Sequence, residues 1–218
     1  MNKTIVICCP GSSFSGAFLN SLTYLIRHLT SKGFKILFSS TYTRNIYEVR
    51  NKCLMGTPES GSDQDLFNGQ DYDYILWIDD DIVFTPEDFE VLYKEDKDVV
   101  SGLYLMANGT HFAAVEVWDE DYFKDNGTFR FLPKKNIKNR LLPFTVEYVG
   151  FGFLLFKKGV FEQLGYPWFE PTYLDIKDCK DFCMEDVTLC LKLKNLNINV
   201  YVHPEVIVGH QKEVELRL

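Results

Sequence analysis

Over the first hundred residues, short apolar runs alternate with amphipathic segments of helical spacing, and this alternation sets the expected architecture. Thr4 to Cys9 is an apolar run closed by Pro10-Gly11-Ser12-Ser13, and Gly16 to Thr30 then carries Phe18, Leu22, Leu25, Ile26 and Leu29 on one helical face. That order predicts strand, loop, helix. Gly33 stops the helix and Phe34 to Ser39 reads as a second strand, giving the βαβ unit from which parallel sheets are built. Asn45 to Leu54 predicts another helix, Gly56 to Gly69 a polar loop, and Tyr74 to Ile78 a third strand. A helix start at Thr85-Pro86-Glu87, helical positions at Phe89, Leu92 and Tyr93, and a strand from Asp98 to Leu105 continue the pattern.

Beyond residue 105 the periodicity weakens. Asn108-Gly109 and Asn126-Gly127 read as turns, with short aromatic runs between them, as expected of hairpins in an excursion that shapes a site. Val146 to Phe156 returns to the core, a helix is expected up to Leu164-Gly165, another from Glu185 to Leu193, and a strand from Asn199 to Val202. No internal repeat or linker divides the chain, so residues 1–218 are read as one α/β domain.

Composition narrows the classes of function. A chain of 218 residues with 46% hydrophobic and 25% charged residues has an ordinary globular balance. No run approaches the ~18 apolar residues of a membrane span, and Met1-Asn2-Lys3 leads directly into a strand, so a cytoplasmic protein is expected. The net charge of -8 argues against a nucleic-acid partner, which needs a basic surface. Lys134 to Arg140 is a basic exception, read as a solvated loop with a phosphate-facing role as the alternative. The six cysteines lack C-x-x-C spacing and are read as reduced and structural.

The chemistry concentrates where apolar elements end. Asp79, Asp80 and Asp81 follow the Tyr74–Ile78 run, and three adjacent carboxylates repel unless a cation relieves them. On an extended chain Asp79 and Asp81 share a side, forming a D-x-D pair able to hold a divalent cation and its diphosphate; a solvated acidic turn is the alternative. The small residues Pro10, Gly11 and Ser12 let a nucleotide approach the backbone, although G-x-G-x-x-G and the P-loop pattern are both missing. Arg44 and Arg50 suit a base or phosphates, with a helix-surface salt bridge as the other reading of Arg50. Glu185 and Asp186 open a helix, where they complement its dipole or supply a general base. His210 follows an apolar run and is read as a further metal ligand that shifts preference toward manganese.

Taken in order, these features resemble the GT-A glycosyltransferases: a nucleotide-binding βαβ half, a D-x-D after an apolar strand, a glycine-rich acceptor-side strand, an E-D pair opening a helix, and a late histidine. More closely, the chain resembles the N-terminal glycosyltransferase domain of a large multidomain chlorella-virus protein, which implies further domains after residue 218 and a host-cytoplasmic location. The resemblance implies a GT-A fold with a mostly parallel sheet, a nucleotide-binding half over about 1–105 and an acceptor half over about 106–218. It implies Asp79 on the donor ribose or a metal-bound water, with Asp80 as the alternative, and Asp81 and His210 on Mn2+ or Mg2+. Asp186 would be the base, with Glu185 second. The acceptor side would comprise Gly150, Phe151 and Gly152, whose missing side chains admit the sugar, with Trp168 or Phe169 stacking on it. The implied reaction is transfer of a UDP-linked hexose or deoxyhexose to a glycan hydroxyl, with inversion.

Two other readings compete. Asp79-Asp80-Asp81-Ile82-Val83 also resembles the haloacid-dehalogenase phosphatases, in which the first aspartate is a nucleophile, although that motif normally closes the first strand. The third is a non-catalytic nucleotide- or sugar-binding module on the same fold.

Overall fold

The structure, a computed structural model, describes residues 3–212. The expected opening forms as β1 (Thr4–Cys8), α1 (Gly16–Ser31), β2 (Lys35–Ser39), α2 (Ile46–Cys53) and β3 (Tyr74–Ile78). The chain continues through β4 (Ile82–Val83), α3 (Pro86–Lys94), β5 (Val99–Leu103), β6 (Ala114–Val115), α4 (Glu120–Asn126), β7 (Phe144–Val146), β8 (Tyr148–Val149) and β9 (Phe153–Lys157). It closes with β10 (Thr172–Ile176), β11 (Cys179–Cys183), α5 (Glu185–Asn195), β12 (Val200–Ile207) and β13 (Gly209–His210).

Seven strands form the central sheet in the order β2-β1-β3-β9-β5-β12-β7. β1 is parallel to β2 and β3, and β5 to β12, while β9 and β7 run against their neighbours. Every residue of β3 is buried, which is why it reads as one continuous apolar run rather than an alternating one. On one face the sheet packs against Phe18, Leu22, Leu25 and Leu29 of α1 and Phe89 and Leu92 of α3. The other face carries α5, through Leu189 and Leu193, and an aromatic layer of Trp77, Phe151, Phe156, Phe161 and Phe169.

Four local expectations change. The helix expected before Gly165 is a single 3-10 turn at Phe161–Gln163. Gly159 and Gly165 both have positive φ and leave too few residues between them to propagate a helix. Within 106–148 a short helix, α4, appears: the Asp119 side chain caps it and Gly127 ends it at φ 63, so Asn126-Gly127 is a helix terminus and not a hairpin turn. Only Phe123 of α4 is buried, too little apolar periodicity to show in sequence. β12 runs on to Ile207 through a register irregularity after Val202. The acidic run is a turn, closed by Ile82 N donating to Asp79 O at 3.2 Å, so its carboxylates diverge and the expected shared side of Asp79 and Asp81 is lost. Asn108-Gly109 does turn the chain, with Gly109 N donating to Met106 O.

Candidate active site

Two clusters of polar and charged side chains lie beyond β3, one on the acidic turn and one at the start of α5, linked by Arg50. The first depends on a pairing between distant segments: β13 lies antiparallel to β4, with His210 opposite Ile82. His210 Nε2 thereby comes to 3.1 Å from Asp81 Oδ2. His210 Nδ1 lies 2.6 Å from the carbonyl of Leu105, and a carbonyl only accepts, so Nδ1 carries the proton. Nε2 and the carboxylate, both electron-rich, then require a proton or a cation between them. Lys212 Nζ also reaches Asp81 Oδ2, at 2.6 Å, and Gln211 N donates to the Asp81 carbonyl.

Asp80 turns toward β1 instead. A Cβ added to Gly11 would sit 2.6 Å from Asp80 Oδ2, so the contact exists only because Gly11 has no side chain. Burial, then Asp81 and Asp79, push the Asp80 carboxyl up. Ser13, Ser15, Asp80, Asp81, Gln211 and Lys212 line an open cleft of about 440 Å³ beside this turn. Of the other residues expected to face a nucleotide, Pro10 is buried, while Ser12 and Arg44 are exposed in the loops after β1 and before α2.

Arg50 is a correction. Expected at a nucleotide or on a helix surface, it is 3% exposed and packs over both Trp77 and Phe151, 5.3 and 4.9 Å from the centroids of these two mutually edge-to-face rings. Its Nη1 donates to Asp79 Oδ1 at 2.7 Å and its Nε to Glu185 Oε1 at 3.3 Å. Burial opposes its charge, but Asp79 and Glu185 outweigh that and hold the guanidinium ionised. Asp79 thus gives its Oδ1 to Arg50 and not to a cation beside Asp81. Glu185, buried in the same pair, is not poised as a free base.

Asp186 has a different environment. Tyr148 Oη donates to its Oδ2 at 2.8 Å, and the Val187 amide to its Oδ1 at 2.7 Å. Burial first, then the charge of Glu185, push its carboxyl up to about 7 against the opposing pull of Tyr148, Val187 N and Arg50. A carboxylate that titrates near neutrality is matched to taking a proton from a hydroxyl. The Tyr104 hydroxyl lies among the same groups: burial, then Asp79 and Asp186, hold it firmly neutral.

The acceptor-side expectation is overturned in its details. The spaces at Gly150 and Gly152 are filled by Tyr104, whose Oη and Cε1 would lie 2.0 and 2.5 Å from an added Cβ, so these glycines admit a protein ring and not a sugar. Phe151, Trp168 and Phe169 are each 1% exposed and belong to the aromatic core, with Trp168 wedged against Gly56. Tyr104, Tyr148 and Lys212 are the side chains at these clusters that the sequence did not single out. Each acquires its place through tertiary contacts, and no spacing in the sequence marks them.

Among the described residues no group of three His, Cys, Asp or Glu side chains converges as a metal cage. The Asp81–His210 pair nevertheless suits a cation that draws its remaining ligands from a diphosphate. It offers one oxygen and one imidazole nitrogen, with the imidazole oriented from behind by a carbonyl.

No protein-family model and no curated sequence matches the chain. Its structure is similar to several solved ones. A197 from STIV superimposes with a TM-score of 0.51 at 17% identity, over 99% of this chain and 97% of that one. GalNAc-T7, crystallised with UDP, GalNAc and Mn2+, gives a TM-score of 0.60 at 11% identity over 98% of this chain, which spans only 44% of that protein. The catalytic domain of Drosophila β1,4-galactosyltransferase 7 in complex with xylobiose gives 0.51 at 11% identity, over 98% of this chain and 72% of that one. The architecture is the GT-A fold, a mixed sheet flanked by helices with small antiparallel sheets beside it. No helix among the described residues is long and apolar enough to cross a membrane.

Proposed function

We propose that the chain is a metal-dependent glycosyltransferase that moves a sugar from a UDP-linked donor to a glycan hydroxyl with inversion. The observation that carries this reading is the Asp81–His210 pair, assembled across two distant segments at the rim of an open cleft. Mn2+ or Mg2+ held there would supply positive charge for the diphosphate leaving group. In the loop after β1, Ser13 lines the same cleft and Gly11 lies against Asp80, and both suit the donor's phosphates and ribose. Asp186, aligned by Tyr148, takes the proton of the acceptor hydroxyl. Tyr148 fixes the carboxylate's orientation, and Arg50 ties the acidic turn to the first turn of α5.

The similar structures agree with this chemistry in their own ligands: UDP and Mn2+ in GalNAc-T7, manganese and UDP-Gal in the galactosyltransferase. They carry different sugars, GalNAc and galactose, and for this chain a UDP-linked hexose or deoxyhexose is the donor proposed. The phosphatase reading loses support because Asp79, its required nucleophile, is bound to a buried guanidinium.

Calorimetric titration of UDP with and without Mn2+ tests the metal site. Asp81→Ala and His210→Ala should each abolish the metal-dependent part of the affinity, and unchanged binding in both refutes the assignment. Hydrolysis of a panel of nucleotide sugars without acceptor identifies the donor. A wild type that binds UDP but turns over no nucleotide sugar, with or without acceptor, leaves the non-catalytic module as the better description.

A further inference from the structure

With Trp168, Phe169 and Phe151 buried, aromatic surface for a sugar must come from elsewhere, and the β10–β11 hairpin provides it. Its two strands pair Tyr173 directly opposite Phe182, with ring centroids 5.8 Å apart at 77°. Both are open to solvent, Tyr173 at 63% and Phe182 at 48% exposure. Phe182 in turn meets Tyr47 of α2 edge-on at 6.0 Å. The alternation of a strand explains the arrangement: Leu174 and Cys183 face inward, onto the cluster containing Tyr148 and Val187, so Tyr173 and Phe182 face outward.

The position of this surface argues for its occupant. Phe182 lies four residues before Asp186, and Tyr47 Oη donates to the Cys183 carbonyl, so the aromatic ladder abuts the segment that carries the base. Its border is polar: Lys180 Nζ lies 5.3 Å over the Tyr173 ring and 3.9 Å from Asp175. An exposed apolar patch marks a binding surface, and aromatic faces edged by a carboxylate and an ammonium match a pyranose, with one face of C–H bonds and a rim of hydroxyls. A protein partner would call for a larger and less charged border.

We propose that Tyr173, Phe182 and Tyr47 form the platform that binds the acceptor sugar, stacking its apolar face while Asp175 and Lys180, a cross-strand pair on the same face, receive its hydroxyls. This rests on the transferase reading above. Saturation-transfer NMR with a panel of methyl glycosides and short oligosaccharides tests it directly. At least one wild-type sugar spectrum should show strong transfer to ring C–H protons, reduced fivefold or more in Tyr173→Ala and in Phe182→Ala, while UDP affinity by calorimetry stays within twofold. Because both side chains are exposed, circular dichroism should show the variants folded. Absence of transfer across the whole panel, or transfer unchanged in both variants, overturns the platform. UDP that fails to bind the wild type, with a sugar signal that still depends on Tyr173, sinks the transferase reading and leaves the platform standing.

Discussion

Arg50 shows how one side chain ties the site together. Its two donors reach carboxylates 29 and 135 positions away while it packs against the rings of Trp77 and Phe151. Removing one partner of a buried ionic group leaves the others uncompensated, at a cost of about 3–5 kcal/mol. Arg50→Met should therefore lower unfolding free energy by that amount in a urea titration. Arg50→Lys should recover only part, because an ammonium lacks the planar fork that meets both acids. Asp186 makes a second prediction, through pH. Its carboxyl is raised from 3.8 to about 7 in the folded state, so the native protein binds more protons than the unfolded chain between those values. Its stabilising contribution is complete below pH 4 and is lost as pH rises through 7. Transfer activity should instead rise through an apparent pKa near 7. Asp186→Asn should lower turnover by about 10²–10⁴, remove that limb of the profile, and at pH 8 raise stability by about 1 kcal/mol or more. A variant that keeps full rate would move the base elsewhere.

At the level of elements, the site depends on short pieces with little stability of their own. β4 and β13 are two residues each, yet their pairing sets His210 beside Asp81. Tyr104 braces this arrangement by packing edge-on to His210 at 4.9 Å while filling the spaces over Gly150 and Gly152. Gly152→Ala forces that ring aside. Overpacking of this kind costs about 1–3 kcal/mol, and the same variant should weaken Mn2+-dependent UDP binding, because the displaced ring is His210's support. A stability loss with metal-dependent affinity intact would show that Tyr104 braces the core alone. The sequence signalled α3 well, and the reason is visible in its cap: Thr85 and Asp88 exchange side-chain and backbone bonds in a capping box. Thr85→Ala should cost about 1 kcal/mol with no effect on UDP affinity, which makes it a control for the Gly152 variant.

For the whole molecule, topology matters more than the order of segments. β9 lies between β3 and β5, so strands from either side of residue 105 share one sheet. A single cooperative unfolding transition follows, by both fluorescence and circular dichroism. UDP with Mn2+ at about 100 times its dissociation constant should stabilise that transition by about 2.7 kcal/mol. Two separated transitions would contradict the interleaving. The strands, the long helices and the positions of the acids were legible in the chain because period and capping are local, encoded within a dozen residues. Asp81, His210 and Asp186 were candidates because they stand at element ends; that Asp81 meets His210 came only with the fold. The partners were not legible. Arg50 meets Glu185 across 135 positions, Tyr104 occupies the space that two glycines left open, and Trp168 is buried while Tyr173 is exposed. Local pattern tells a residue which element it joins; which charge it faces, and whether water reaches it, is set only when distant elements close over one another.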